Sequence, residues 1–167
     1  MKKILSEFTL WLGMLFCSIV VGATIYQMIV IVPEYYRDIP HGMIEFARGH
    51  FLPKAFWTSP IMPLGFLALI GTLIFNWNNS RRKWILLSVA LIGLAEILTI
   101  LFIFPQMKIM GLLDGNPSTD LDLLTQSIRQ WVLSDHLRFW LLLMPAYFIY
   151  LKALTIKNDS DLSSETN

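Results

Sequence analysis

The stretch "LIGLAEILTILFIFP" (Leu91–Pro105) is apolar or small at every position except Glu96 and Thr99. A lone charge in the middle of a membrane costs about 2.5–3.5 kcal/mol on insertion scales, so Glu96 needs a partner or a task. Two further stretches hold polar residues in similar settings: "WVLSDHLR" (Trp131–Arg138) contains Asp135, His136 and Arg138, and "GATIYQMIVIVP" (Gly22–Pro33) contains Tyr26 and Gln27. The guanidinium of Arg138 can clamp a carboxylate through two parallel hydrogen bonds, which makes it the natural counter-charge of Glu96. Asp135 stands three residues before Arg138 and is a competing partner on the same helix. Glu96 is therefore either one half of a structural ion pair or an acid or base with a function.

The elements that must position these residues are long apolar helices. The chain has 167 residues, of which 55% are hydrophobic and 15% charged, with a mean hydropathy of +0.57. Soluble domains carry about 25% charged residues. Four stretches, about 8–32, 56–75, 84–104 and 131–151, approach or exceed the ~20 residues that cross a bilayer core. Spanning segments must satisfy their own backbone, so the expected fold is all-α: an integral membrane four-helix bundle over residues 1–154 with two long outer loops, followed by a disordered tail at 155–167. "MKK" and the "VGA" at Val21–Ala23 imitate a signal peptide, but the apolar run continues through "TIYQMIVIV", which points to a retained helix. A net charge of +1 with mixed signs excludes a nucleic-acid partner, and the single cysteine, Cys17, excludes an intrachain disulfide.

Lys2, Lys3, Arg81, Arg82, Lys83, Lys152 and Lys157 fall on one side of these helices, and the "RRK" turn contains no acid. On the other side Arg37, Arg48, Lys54, Lys108 and Arg129 are diluted by acids. The positive-inside rule then places both termini in the cytoplasm of a multi-pass cell-membrane protein. Trp77 and Trp84 flank the inner turn, and Trp57 and Trp131 open helices at the outer face. The first outer loop should hold a short surface helix around Gly42–Arg48, and the second a helix capped by Ser118 or Thr119 and running through Arg129. "VIVP" and "FIFP" (Pro33 and Pro105) each read as the exit of an outward helix.

Depth can be counted from these exits. Glu96 lies nine residues before Pro105, ~13 Å along the axis, and Arg138 seven residues after Trp131, ~10 Å. Tyr26 and Gln27 lie at about the same depth, with Thr99, Asp135 and His136 close by. The spacing predicts a polar layer in the outer half, with a ligand-sized pocket bordered by Tyr26, Trp57, Glu96 and Arg138. Ser88, Ile92, Ala95 and Thr99 form a stripe beside Glu96 suited to close helix packing. His41, Glu45 and His50 are a weak alternative for a metal, without an HExxH frame. No haem, di-iron or phosphate-loop pattern is present, so no cofactor is implied.

Three segments resemble the small four-helix membrane proteins grouped with anthrone oxygenases: Gly22–Pro33, "TILFIFPQMKIM" (Thr99–Met110) and Trp131–Arg138. Met107 and Asp135 depart from that family's usual residues. The resemblance implies a cofactor-independent oxidation of a lipophilic phenolic or anthrone-like substrate by molecular oxygen. Glu96 or His136 would then serve as base and Arg138 as oxyanion stabiliser, with Tyr26, Gln27, Thr99, Trp57 and Trp131 around the substrate. A small transporter or proton pathway, or a non-catalytic membrane partner protein, would use similar residues. The implied partners are membrane lipid and a lipophilic small molecule; protein partners and oligomeric state are left open.

Overall fold

The structure, a computed structural model, describes residues 2–36, 38–49 and 61–156. Every regular element among them is helical. In chain order they are α1 (Lys2–Tyr26), a π-helical segment Gln27–Ile31, α2 (Val32–Tyr36), α3 (His41–Gly49), α4 (Ile61–Phe75) and α5 (Arg82–Leu98). A second π segment, Thr99–Ile103, then leads into α6 (Phe104–Ile109). After a loop come α7 (Leu121–Arg138), a third π segment Phe139–Leu143 and α8 (Met144–Thr155). Three continuous helices, Lys3–Glu34, Arg82–Ile109 and Leu121–Thr155, are long and apolar enough to cross a membrane, and Leu64–Phe75 is a shorter apolar helix.

Each π segment has the same cause. A proline stands two residues after its end: Pro33, Pro105 and Pro145. Proline has no N–H for the carbonyl four residues back, and its ring presses against that carbonyl. The chain widens ahead of it. The N–H groups of Val32, Phe104 and Met144 each donate five residues back, to the carbonyls of Gln27, Thr99 and Phe139. In hydrocarbon such local adjustment is how a helix tolerates proline. Pro33 and Pro105 are therefore not helix exits. The helices continue to Tyr36 and Ile109.

α1 packs along α4 and α8, and α5 packs along α8 and α4. The core falls into three layers. The first gathers Leu10, Met14, Leu69, Ile85 and Tyr150 beside the Asn76–Arg81 turn. The middle holds Val21, Ala95, Phe139, Leu142 and Leu143. The third joins Val32 and Ile103 to α3, through Met43, Phe46 and Ala47, and to α7, through Leu124, Ile128 and Trp131. A 35-residue helix is ~52 Å long, more than the ~30 Å of a bilayer core, and the third layer is a cap built around the N-terminal part of the Leu121–Thr155 helix.

Two local expectations change. Asp120, not Ser118 or Thr119, caps α7, its Oδ1 accepting from the N–H groups of Asp122 and Leu123 at 3.1 Å each. Trp131 does not open a helix at the outer face. It lies ten residues inside α7 and is 5% exposed, because α3 and the 110–112 turn cover it. That turn needs Gly111, whose φ of +69° and close approach to the Asn116–Pro117 backbone exclude a side chain.

Candidate functional site

The polar layer lies where the three π segments begin. Gln27 and Thr99 are the first residues of their segments, and Arg138 immediately precedes Phe139. The bond network crosses all three long helices. Gln27 Nε2 donates to Asp135 Oδ2 at 3.3 Å. Arg138 Nη2 donates to Asp135 Oδ1 at 2.7 Å, and Arg138 Nη1 to Thr99 Oγ1 at 2.6 Å. Thr99 Oγ1 in turn donates to the Ala95 carbonyl at 2.8 Å. Asp135 and Arg138 are 2% and 9% exposed, so this is a buried, charge-assisted pair. The Arg138 Nε is also buried, and it has no hydrogen-bond partner among the described residues. Leaving a buried donor unmatched costs about 1–3 kcal/mol.

The structure thus joins four residues of the expected layer and leaves the others apart. The counter-charge of Arg138 is Asp135, not Glu96: the i, i+3 spacing brings Asp135 to it without any helix rotation. Glu96 is half-buried and feels the charge of Arg138, but no hydrogen bond or ion pair holds it among the described residues. His136 Nδ1 lies 2.7 Å from the Val132 carbonyl, a bond within its own helix. Tyr26 is 57% exposed and makes no hydrogen bond to the network among the described residues. Trp57 lies outside the described residues, and Trp131 belongs to the cap. His41 and Glu45 are exposed on α3, and His50 is again outside the described residues.

Beside Arg138 runs a cleft of about 300 Å³. The Arg82–Ile109 helix contributes Leu94, Leu98, Phe102 and Ile103; the Leu121–Thr155 helix contributes Ser134, Leu137, Leu141, Leu142 and Arg138. The expected pocket border of Tyr26 and Glu96 is absent from this lining. Helical geometry explains why. At ~100° per residue, Glu96 is ~200° round from both Leu94 and Leu98, and His136 is ~200° round from Arg138. The cleft offers one cation in an apolar wall that faces outward, since Leu94, Phe102, Leu137 and Leu141 are each at least 45% exposed. It can hold an apolar body and orient one acceptor oxygen.

Two features escaped the sequence reading. "LLLMP" (Leu141–Pro145) carries the same apolar-then-proline signature as Pro33 and Pro105, so the third break was available. The apolar residues of the cleft have no such signal, because lipid-facing and ligand-facing leucines look alike in a membrane helix. Compared with protein-family models, curated proteins and solved structures, the chain has no match.

Proposed function

We propose that this is a multi-pass cell-membrane protein that binds a lipophilic small molecule through an acceptor oxygen placed at Arg138. One observation carries the reading. A buried arginine lines an apolar cleft while two of its nitrogens are fixed by Asp135 and Thr99 and the third, Nε, is unmatched. The fixed pair sets the direction of the guanidinium, and the outward leucines let the ligand enter from the bilayer. The oxygenase implied by the resemblance would add a base at the substrate. The lining side chains supply a cation but no carboxylate or imidazole, so binding is the better-supported activity.

The topology belongs to the same proposal: four spans, with both termini cytoplasmic. Arg81 supports it. Its side chain reaches both Glu7 of the first helix and the Ile156 carbonyl after the last, so the start of the first helix and the end of the last lie at the "RRK" turn. Labelling of Ser118→Cys from outside intact cells, with none of Asn79→Cys, is expected; the reverse pattern would sink the topology.

The binding test uses a hydroxyanthracene and the parent hydrocarbon with the purified protein in detergent. The phenol should raise the melting temperature and the hydrocarbon should not, and Arg138→Met should abolish the difference. Equal stabilisation by both compounds in the parent protein would overturn the proposal. Oxygen uptake with the phenol, lost in Arg138→Met, would extend binding to oxidation.

A further inference from the structure

At the end of the molecule opposite the cleft, two ammonium groups meet one indole. Lys83 Nζ is 5.5 Å and Lys152 Nζ 5.8 Å from the centroid of the Trp84 ring. The lysines come from different helices, α5 and α8, so the juxtaposition is made by the tertiary packing. The ring attracts each cation, but two like charges at one ring repel. A carboxylate would relieve that repulsion, yet neither ammonium is in an ion pair among the described residues. Glu7 is already held by Arg81, and Arg82 adds a further cation over Trp77 at 5.3 Å.

We propose that Lys83, Lys152 and Trp84 form a site for the phosphate of an anionic phospholipid in the leaflet at the chain termini. Trp84 is half-buried against the first core layer, which fixes the indole where a headgroup would lie. The phosphate oxygens would accept from both ammonium groups while the acyl chains lie along the exposed Leu86 and Leu87 surface of α5. The site is independent of the Arg138 cleft, so either proposal can fail alone.

The test is native mass spectrometry of the full chain released from detergent containing equal phosphatidylglycerol and phosphatidylcholine. The parent should retain phosphatidylglycerol preferentially. Removal of one basic residue near an anionic surface weakens binding about five-fold, so Lys83→Gln and Lys152→Gln should each lower retention by about that factor and the double variant by ~25-fold. Lys108→Gln, at the other end, should have no effect. The Lys83→Arg/Lys152→Arg variant should keep the preference and guards against a folding artefact. No preference in the parent, or an unchanged preference in the folded double Gln variant, would overturn the site. Displacement of the lipid by inorganic phosphate at equal concentration would also overturn it, by showing a site for free phosphate.

Discussion

Two arginines are buried among the described residues, Arg81 and Arg138, and their surroundings differ. Arg81, 6% exposed, donates through Nη1 to Glu7 and through Nε to the Ile156 carbonyl at 2.6 Å. The layer beside it is closed in the same way. Asn76 is bonded to Ser6 and Thr72, Thr72 to the Thr9 carbonyl, and the Tyr150 hydroxyl to the Leu10 carbonyl at 3.0 Å. Around Arg138, 9% exposed, all three long helices are widened, one guanidinium nitrogen is unmatched, and a cleft opens. Both charges are buried; the difference is that Arg138 keeps a buried N–H without a partner among the described residues, whereas no Arg81 nitrogen is both buried and unmatched.

The largest expected effect tests the Arg138 pair. Asp135→Leu should destabilise the protein by about 3–5 kcal/mol, because it leaves a buried guanidinium without its counter-charge. Asp135→Leu with Arg138→Met should recover most of that loss in a detergent melt while phenol binding stays absent. A double variant that binds the phenol like the parent would remove the distinction drawn above.

Arg81→Met should cost less, about 1–3 kcal/mol, because Glu7 is 34% exposed and water can take over its hydration. Folded Arg81→Met should bind the phenol as the parent does. Weakened phenol binding would mean that the two ends are coupled.

Gly13→Ala comes next, at about 1–2 kcal/mol. A Cβ there would collide with the Tyr150 hydroxyl and crowd Thr72, and well-packed sites resist added methyls. A melt indistinguishable from the parent would show that the closed end can relax. The smallest effect belongs to Tyr26→Phe: an exposed ring outside the network should change stability by less than about 0.5 kcal/mol and leave binding intact. A loss of phenol binding in this variant would widen the site to the face of the first helix.

Much of this was legible beforehand. The apolar runs, the polar residues of "YQ", "T" and "DHLR", and their common depth all follow from composition and a rise of 1.5 Å per residue. So does the helix over His41–Gly49, whose apolar residues Met43, Phe46 and Ala47 fall on one face. Pairing was harder. Glu96 and Asp135 both stand near the depth of Arg138, and depth is a single coordinate. Which carboxylate meets the guanidinium depends on the rotation of each helix about its axis. In a membrane that rotation is weakly encoded, since leucines face lipid and core alike.

The sequence by itself determined the helical class, the long apolar elements, the proline positions and the shared level of the polar residues, because these depend on local chain chemistry; the depth counted from Pro105 and Trp131 did not hold, since both helices run past them. Only the tertiary structure decided that Asp135 holds Arg138, that Trp131 is sealed under α3, and that Lys83 and Lys152 share Trp84. Each of these depends on helix rotation and on contacts between residues distant in the chain, and packing sets both.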